Sequence, residues 1–117
     1  MAWLPKTAYA YSILIQPTAG ELAVAQKEPG YSILRRDRQA HIVFDRASGV
    51  TGYAAFEAVS LPEDEVVADI ASETMVMRRT AEDGTLIVSV CDPDLHIKEK
   101  TYTTPEPSEP SFKTLHL

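Results

Sequence analysis

Between Tyr31 and Phe56 the chain reads YSILRRDRQAHIVFDRASGVTGYAAF, and this stretch constrains the fold more than any other. Three short apolar runs, Tyr31 to Arg36, Ala40 to Asp45 and Val50 to Ala58, are cut by polar turns at Asp37 to Gln39 and at Ala47-Ser48-Gly49. In the second run Ile42 and Phe44 fall on one face and His41 and Val43 on the other, the period-2 pattern of a strand. Runs this short, bounded by turn residues, read as consecutive strands rather than helices. Gly52, inside the third run, predicts a bulge or a close backbone approach.

The same grammar extends in both directions. Tyr9, Tyr11, Ile13 and Ile15 alternate with Ala10, Ser12, Leu14 and Gln16, which predicts a strand ended by Pro17. Its aromatic-rich face is expected in the core or at an interface. Thr18 and Glu21 have the spacing of a capping box, and Pro29-Gly30 stops the short helix that it opens. Downstream, Leu61 to Glu65 is a loop whose acidic run, Glu63-Asp64-Glu65, lacks the glycine and alternating oxygens of a calcium loop and is expected to be a solvated turn. Val66 to Ile70 and Thr74 to Arg79 are short strands, and Glu82-Asp83-Gly84 is a hairpin signal. Leu86 to Cys91 has apolar residues on both faces, which predicts a central position in a sheet. Residues 101–111, TYTTPEPSEPS, read as a proline-rich loop or linker. Phe112, Thr114 and His116 then resume strand alternation as the chain stops. The expectation there is an edge that pairs with later strands of a longer protein, and that otherwise frays or drives self-association. Together these signals predict an all-β fold over residues 1–117: a single antiparallel β-sandwich of about seven or eight short strands with one short peripheral helix.

Composition removes several function classes. A chain of 117 residues is one domain or part of one, and can hold a core without staples. A net charge of −6 and a pI near 4.9 argue against a nucleic-acid or anionic-membrane surface. A lone cysteine, Cys91, excludes an internal disulfide and is expected as a small core residue. No segment has the length and apolarity of a membrane span, and MAWLPKTAYA lacks the basic start and apolar core of a signal peptide. His41, His96 and His116 are the only histidines, with no HxH or HExxH spacing, and no G-x-S-x-G elbow occurs. No catalytic residue, metal ligand or cofactor site is therefore assigned.

The ordered combination of Tyr9-Ala10-Tyr11, Tyr31-Ser32-Ile33-Leu34-Arg35-Arg36-Asp37, His41-Ile42-Val43-Phe44-Asp45, Gly49-Val50-Thr51-Gly52-Tyr53 and Leu86-Ile87-Val88-Ser89-Val90 leading to Asp92-Pro93-Asp94-Leu95 resembles one family. It is similar to the C-terminal β domain of polysaccharide lyase family 8, in pattern the chondroitin sulfate ABC lyases. The resemblance implies a parent that is a large, secreted or periplasmic bacterial enzyme with an α/α toroid ahead of its β domains. Such enzymes cleave glycosaminoglycans by β-elimination, in which a base removes the uronate C5 proton and an acid protonates the leaving oxygen. The family carries its catalytic Asn, His, Tyr and Arg in the toroid, and none of those motifs has a counterpart here. The resemblance thus implies an accessory structural domain whose partners are the remaining domains of the lyase.

Candidate carbohydrate contacts are Trp3, Arg35, Arg36 and Arg38, since arginine forks match carboxylate and sulfate groups. Against them, consecutive residues of a strand point to opposite faces, and strand-end arginines are commonly solvated or ion-paired. Arg78-Arg79 forms a second basic pair, and Tyr9, Tyr11, Tyr31 and Tyr53 could stack on sugar rings. Glycosaminoglycan binding is expected to be weak and salt-sensitive, because the acidic balance opposes it. The runner-up reading is a free-standing carbohydrate-binding module; a small intracellular β protein is the remaining one.

Overall fold

The computed structural model describes residues 9–93 and 112–117. Trp3, His96 and residues 101–111 lie outside the described residues. Helix α1 (Ala19–Lys27) is followed by β1 (Tyr31–Arg36), β2 (Ala40–Asp45), β3 (Val50–Ala55), β4 (Val59–Ser60), β5 (Asp69–Ile70), β6 (Thr74–Thr80), β7 (Leu86–Cys91) and β8 (Leu115–His116). Five strands form one antiparallel sheet in the order β1-β2-β3-β6-β7, and three short ones form a second in the order β4-β5-β8. The all-β, sandwich-like fold expected from the turn spacing is the one observed.

The core lies between the two sheets. Ala40 and Ile42 of β2, Tyr53 and Ala55 of β3 and Val76 of β6 face Val59, Leu61, Val67 and Ile70 of the second layer. Strand alternation sets this: Ala40 and Ile42 of β2, Thr51, Tyr53 and Ala55 of β3, and Thr74 and Val76 of β6 are buried at alternate positions. The 81–84 turn closes the β6–β7 hairpin as Asp83-Gly84 predicts, with Gly84 at φ +86°. Around α1 the Thr18 side chain accepts from the Glu21 amide at 3.2 Å while Glu21 accepts from the Thr18 amide at 3.1 Å, the expected capping box.

Several expectations need correction. Tyr9 to Gln16 is not a strand, and Tyr9, Tyr11, Ile13 and Ile15 are exposed rather than in the core, because this segment forms no ladder with β1, which among the described residues pairs with β2 alone. The run from Val50 breaks after Ala55, where the Phe56 amide turns to bond the Gln39 carbonyl, and resumes as β4. Only Asp69–Ile70 of the Val66 to Ile70 segment is strand. Among the described residues strand β7 is an edge, not central, so its apolar residues are partly open to water, and Cys91 is exposed rather than buried. The bulge is not at Gly52 but in β1: Ile33 pairs with Val43 and Arg35 with Ile42, which leaves Leu34 as the extra residue. Register through Gly52 is unbroken on both sides.

The C-terminal residues pair within the chain. Ile70 and Asp69 oppose Leu115 and His116, and the Ala68 and Ala71 amides donate to the His116 and Thr114 carbonyls on either side. Lys113 anchors this segment, with Nζ 3.2 Å from Glu73 and 3.4 Å from Asp92. His116 Nδ1 lies 2.7 Å from Asp69 across the same pair. Phe112 remains exposed.

Candidate functional site

The arginines singled out in the sequence do not converge. Arg35 spends its guanidinium within the fold: Nε bonds Asp37 at 2.6 Å, one terminal nitrogen bonds the Ser60 carbonyl at 3.1 Å, and the other bonds Gln39 at 2.9 Å. Asp37 in turn accepts the Gln39 and Ala40 amides, which closes the β1–β2 turn. The hydrogen bond from Arg35 first, and those two amides next, hold the Asp37 carboxyl down to about 2. Arg35 thus ties the β1–β2 turn to β4. Arg36 is exposed on the face of the large sheet away from the core, opposite His41, and Arg38 is exposed in the turn. Trp3 lies outside the described residues.

The strongest polar constellation is one that the sequence reading dispersed. Tyr53, which is 3% exposed, donates its hydroxyl to Asp64 at 2.5 Å and accepts from Arg78 Nε at 2.6 Å. A terminal nitrogen of Arg78 reaches the other Asp64 oxygen at 3.4 Å, and the guanidinium lies 5.8 Å from the centre of the Tyr53 ring. That second Asp64 oxygen also accepts the Val66 and Val67 amides, each at 2.8 Å. Side-chain exposures of 8% for Asp64 and 18% for Arg78 make this a nearly dry cluster. Burial, then the bond to Asp64, pushes the Tyr53 phenol up to about 12. Burial opposes ionisation of Asp64, but the Tyr53 hydroxyl and the Val67 and Val66 amides outweigh it and hold its carboxyl below the ordinary range. Likewise burial opposes the Arg78 charge, and Tyr53 and Asp64 outweigh it.

Tyrosine, arginine and carboxylate are residue types suited to proton transfer, but this arrangement cannot serve a polymer. The phenol is sealed in the core and its oxygen already has a donor and an acceptor. A phenol raised to about 12 is also further from a working base at neutral pH than a free one. The cluster instead pins the 61–67 loop onto β3 and β6. The expectation that Glu63-Asp64-Glu65 is a solvated turn fails at Asp64, and Tyr53 is not available to stack on a sugar. Alternation carried the signal: Tyr53 is in phase with Thr51 and Ala55, and Arg78 with Val76, so both point inward and a buried hydroxyl and guanidinium need partners.

On the other side of the large sheet lies a broad surface. One cross-strand row runs Ile33, Val43, Gly52, Met77, Ser89, and the next runs Arg36, His41, Ala54, Met75, Cys91. Ile33, Val43, Met75, Met77 and Ile87 are exposed large apolar side chains on this face. At its β1 end the 9–11 segment crosses nearby, with the Tyr9 and Tyr11 rings stacked at 6.1 Å and 17°. An open groove of about 540 Å³ lies between these tyrosines and Tyr31, Arg36 and His41. His41 also meets Phe56 edge-on at 5.0 Å. Helix α1 buries none of its residues, and Leu22 and Val24 stand exposed. Among the described residues no group of three His, Cys, Asp or Glu could hold a metal ion, and no helix is long and apolar enough to cross a membrane.

Over 115 residues, covering 89% of this chain, the sequence is 36% identical to the chondroitin sulfate ABC endolyase of Proteus vulgaris. The chain is homologous to a segment of the chondroitin sulfate ABC lyases. It is also 31% identical over 88 residues to the chondroitin sulfate ABC exolyase of Bacteroides thetaiotaomicron, and 32% identical over 90 residues to that of Proteus vulgaris. These alignments cover 74% and 76% of the chain. Against the three relatives the chain spans 11%, 9% and 8% of their length, so it corresponds to a small part of much larger bacterial lyases. No family model matches the chain.

Proposed function

We propose that this chain is an accessory domain, the C-terminal β domain, of a family 8 polysaccharide lyase that cleaves chondroitin sulfate or a related glycosaminoglycan by β-elimination outside the cytoplasm. The observation that carries the reading is the 36% identity to a chondroitin sulfate ABC endolyase over nearly the whole chain. The chemistry of the described residues agrees. The one tight set of Tyr, Arg and Asp is locked in the core, and the candidate basic residues Arg35, Arg36 and Arg38 are split between a structural turn and an open face. The domain's part in the enzyme is then mechanical: it packs against the domains that hold the substrate. β-Elimination leaves an unsaturated uronate that absorbs in the ultraviolet, so the test is direct. The chain alone, freed of contaminating lyase, is expected to give no absorbance growth with chondroitin sulfate, and the lyase polypeptide that carries it is expected to give steady growth.

A second reading is favoured by the groove between Tyr9, Tyr11, Tyr31 and Arg36. Stacked phenol rings beside a guanidinium suit the apolar face and carboxylate of a uronic acid. On this reading the domain is a carbohydrate-binding module. Calorimetry with chondroitin sulfate oligosaccharides separates the two: the accessory reading expects weak, salt-sensitive binding, and the module reading expects sub-micromolar affinity at physiological salt that an Arg36→Ala variant loses.

A further inference from the structure

Gly52 sits in the middle of β3, the central strand of the large sheet, and nothing among the described residues requires a glycine there. Its register is continuous with both β2 and β6. Its φ is not in the left-handed region, which among the glycines only Gly49 and Gly84 occupy. A Cβ built at Gly52 would meet no atom within 4 Å. A glycine weakens a strand interior through backbone entropy and lost side-chain packing, and it commonly marks a place where another chain approaches the backbone closely. Among the described residues none makes that approach.

The surroundings of Gly52 are shaped for such an approach. Ala54 continues the low floor along the strand, while Val43 on one side and Met77 and Met75 on the other form walls. Met75 is 50% and Met77 56% exposed, an unusual state for paired methionines at the centre of a sheet face. Charges on this face stand at its ends, on Arg36, Asp45 and Arg79, and not beside the glycine. A polysaccharide needs hydrogen-bonding partners along its path, and this apolar floor has none beside Gly52. The face is continuous at its β1 edge with the exposed Tyr9 and Tyr11, and beyond them with Ile13 and the unburied helix α1.

We propose that this trough, centred on Gly52 and walled by Val43, Met75 and Met77, receives an apolar ridge from an adjoining domain of the same lyase polypeptide. The proposal rests on the reading of the chain as one domain of a longer lyase. The occupant follows from length: the homologous lyases carry about nine-tenths of their residues outside the segment that this chain matches.

Hydroxyl-radical footprinting, read by peptide mass spectrometry, tests the assignment on the chain alone and on the lyase polypeptide that contains it. Oxidation of Met75 and Met77 is expected to slow about five-fold in the polypeptide, as half-exposed side chains pass into a buried interface core. Gly52→Val fills the trough. It is expected to leave the melting temperature of the chain alone unchanged or raised, and to return Met75 and Met77 oxidation in the polypeptide toward the rate of the chain alone. Equal oxidation rates in the two forms would overturn the assignment, as would protection that survives Gly52→Val. Protection of the chain alone that grows with its concentration would give the trough to a second copy, and protection of the chain alone by chondroitin sulfate oligosaccharide would give it to sugar; either overturns the proposal. The underlying reading fails separately, if the reading frame that carries this chain encodes no lyase domains.

Discussion

Removing a single oxygen from Tyr53 tests the internal architecture most sharply. In a Tyr53→Phe variant the ring still fills its place in the core, but Asp64 loses the hydroxyl donor at 2.5 Å and Arg78 loses its acceptor at 2.6 Å. Asp64 keeps the Val66 and Val67 amides on its other oxygen, so the 61–67 loop keeps its local turn but loses its tie to β3. Hydrogen bonds to charged groups contribute about 1.5–3 kcal/mol each, and the small residual exposure of Arg78 lets water recover part of the loss. A net cost of about 2 kcal/mol follows, which for a domain of this size lowers the melting temperature by about 10 °C. Thermal and urea unfolding followed by circular dichroism measure it. A double-mutant cycle with Asp64→Asn is expected to return a coupling of about 1 kcal/mol or more, because the two side chains share one network. A fall of less than about 2 °C, or simple additivity in the cycle, would show that the cluster is solvated and that the loop is held by apolar packing alone.

Other outcomes follow from particular contacts. Asp37 and Asp64 both have carboxyls held below the ordinary value of 3.8, so their stabilisation is present above pH 4 and is lost as pH falls toward 2; urea midpoints measured across that range are expected to drop, and less so in Asp64→Asn. At the alkaline end Tyr53 works in the opposite sense: the unfolded phenol ionises near 10 and the folded one only at about 12, so stability falls as pH rises between those values, and Tyr53→Phe is expected to flatten that limb. Gly84→Ala places a side chain at φ +86° and is expected to cost about 1 kcal/mol, read as a lowered urea midpoint. Lys113→Met removes the contacts to Glu73 and Asp92, and faster hydrogen exchange at the Ala68 and Ala71 amides, which donate to the β8 segment, is expected with little change in β2 and β3.

Much of the fold was legible because local rules and tertiary packing agree over β1 to β3, β6 and β7. Alternation, Asp-Gly and the Thr18–Glu21 box each have a local cause, and each is where it was expected. Misreadings arose where the same local pattern has two tertiary outcomes. Tyr9 to Ile15 alternates like a strand, but a strand needs a ladder partner, and this segment pairs with none of the described strands. Leu86 to Cys91 is apolar on both faces like a central strand, yet it borders the sheet, since one apolar face can be set aside for another surface as well as for a second layer. Cys91 shares that fate. Asp64 lay in an acidic run whose neighbours are solvated, and only the inward phases of Tyr53 and Arg78, far away in sequence, show that its carboxylate has buried partners. Of the candidate contacts, Arg35 has partners inside the fold, Asp37, Gln39 and Ser60, a connection that spacing alone does not disclose. A glycine inside a strand signals a bulge or a close approach without saying which; register is unbroken at Gly52, and the bulge lies in β1 instead.

On the proposed function, this domain would support a lyase by packing, with no part in its chemistry or in gripping substrate. Steady-state kinetics on chondroitin sulfate, run as a function of temperature on the lyase polypeptide with and without the paired changes Met75→Glu and Met77→Glu, tests it most directly. Charges placed in the trough should weaken the contact between domains while leaving the catalytic groups untouched. The expected result is unchanged kcat and KM at low temperature with a clearly lowered temperature of activity loss. A raised KM or a lost kcat at low temperature, with thermal inactivation unchanged, would contradict the account and place substrate on this face of the sheet.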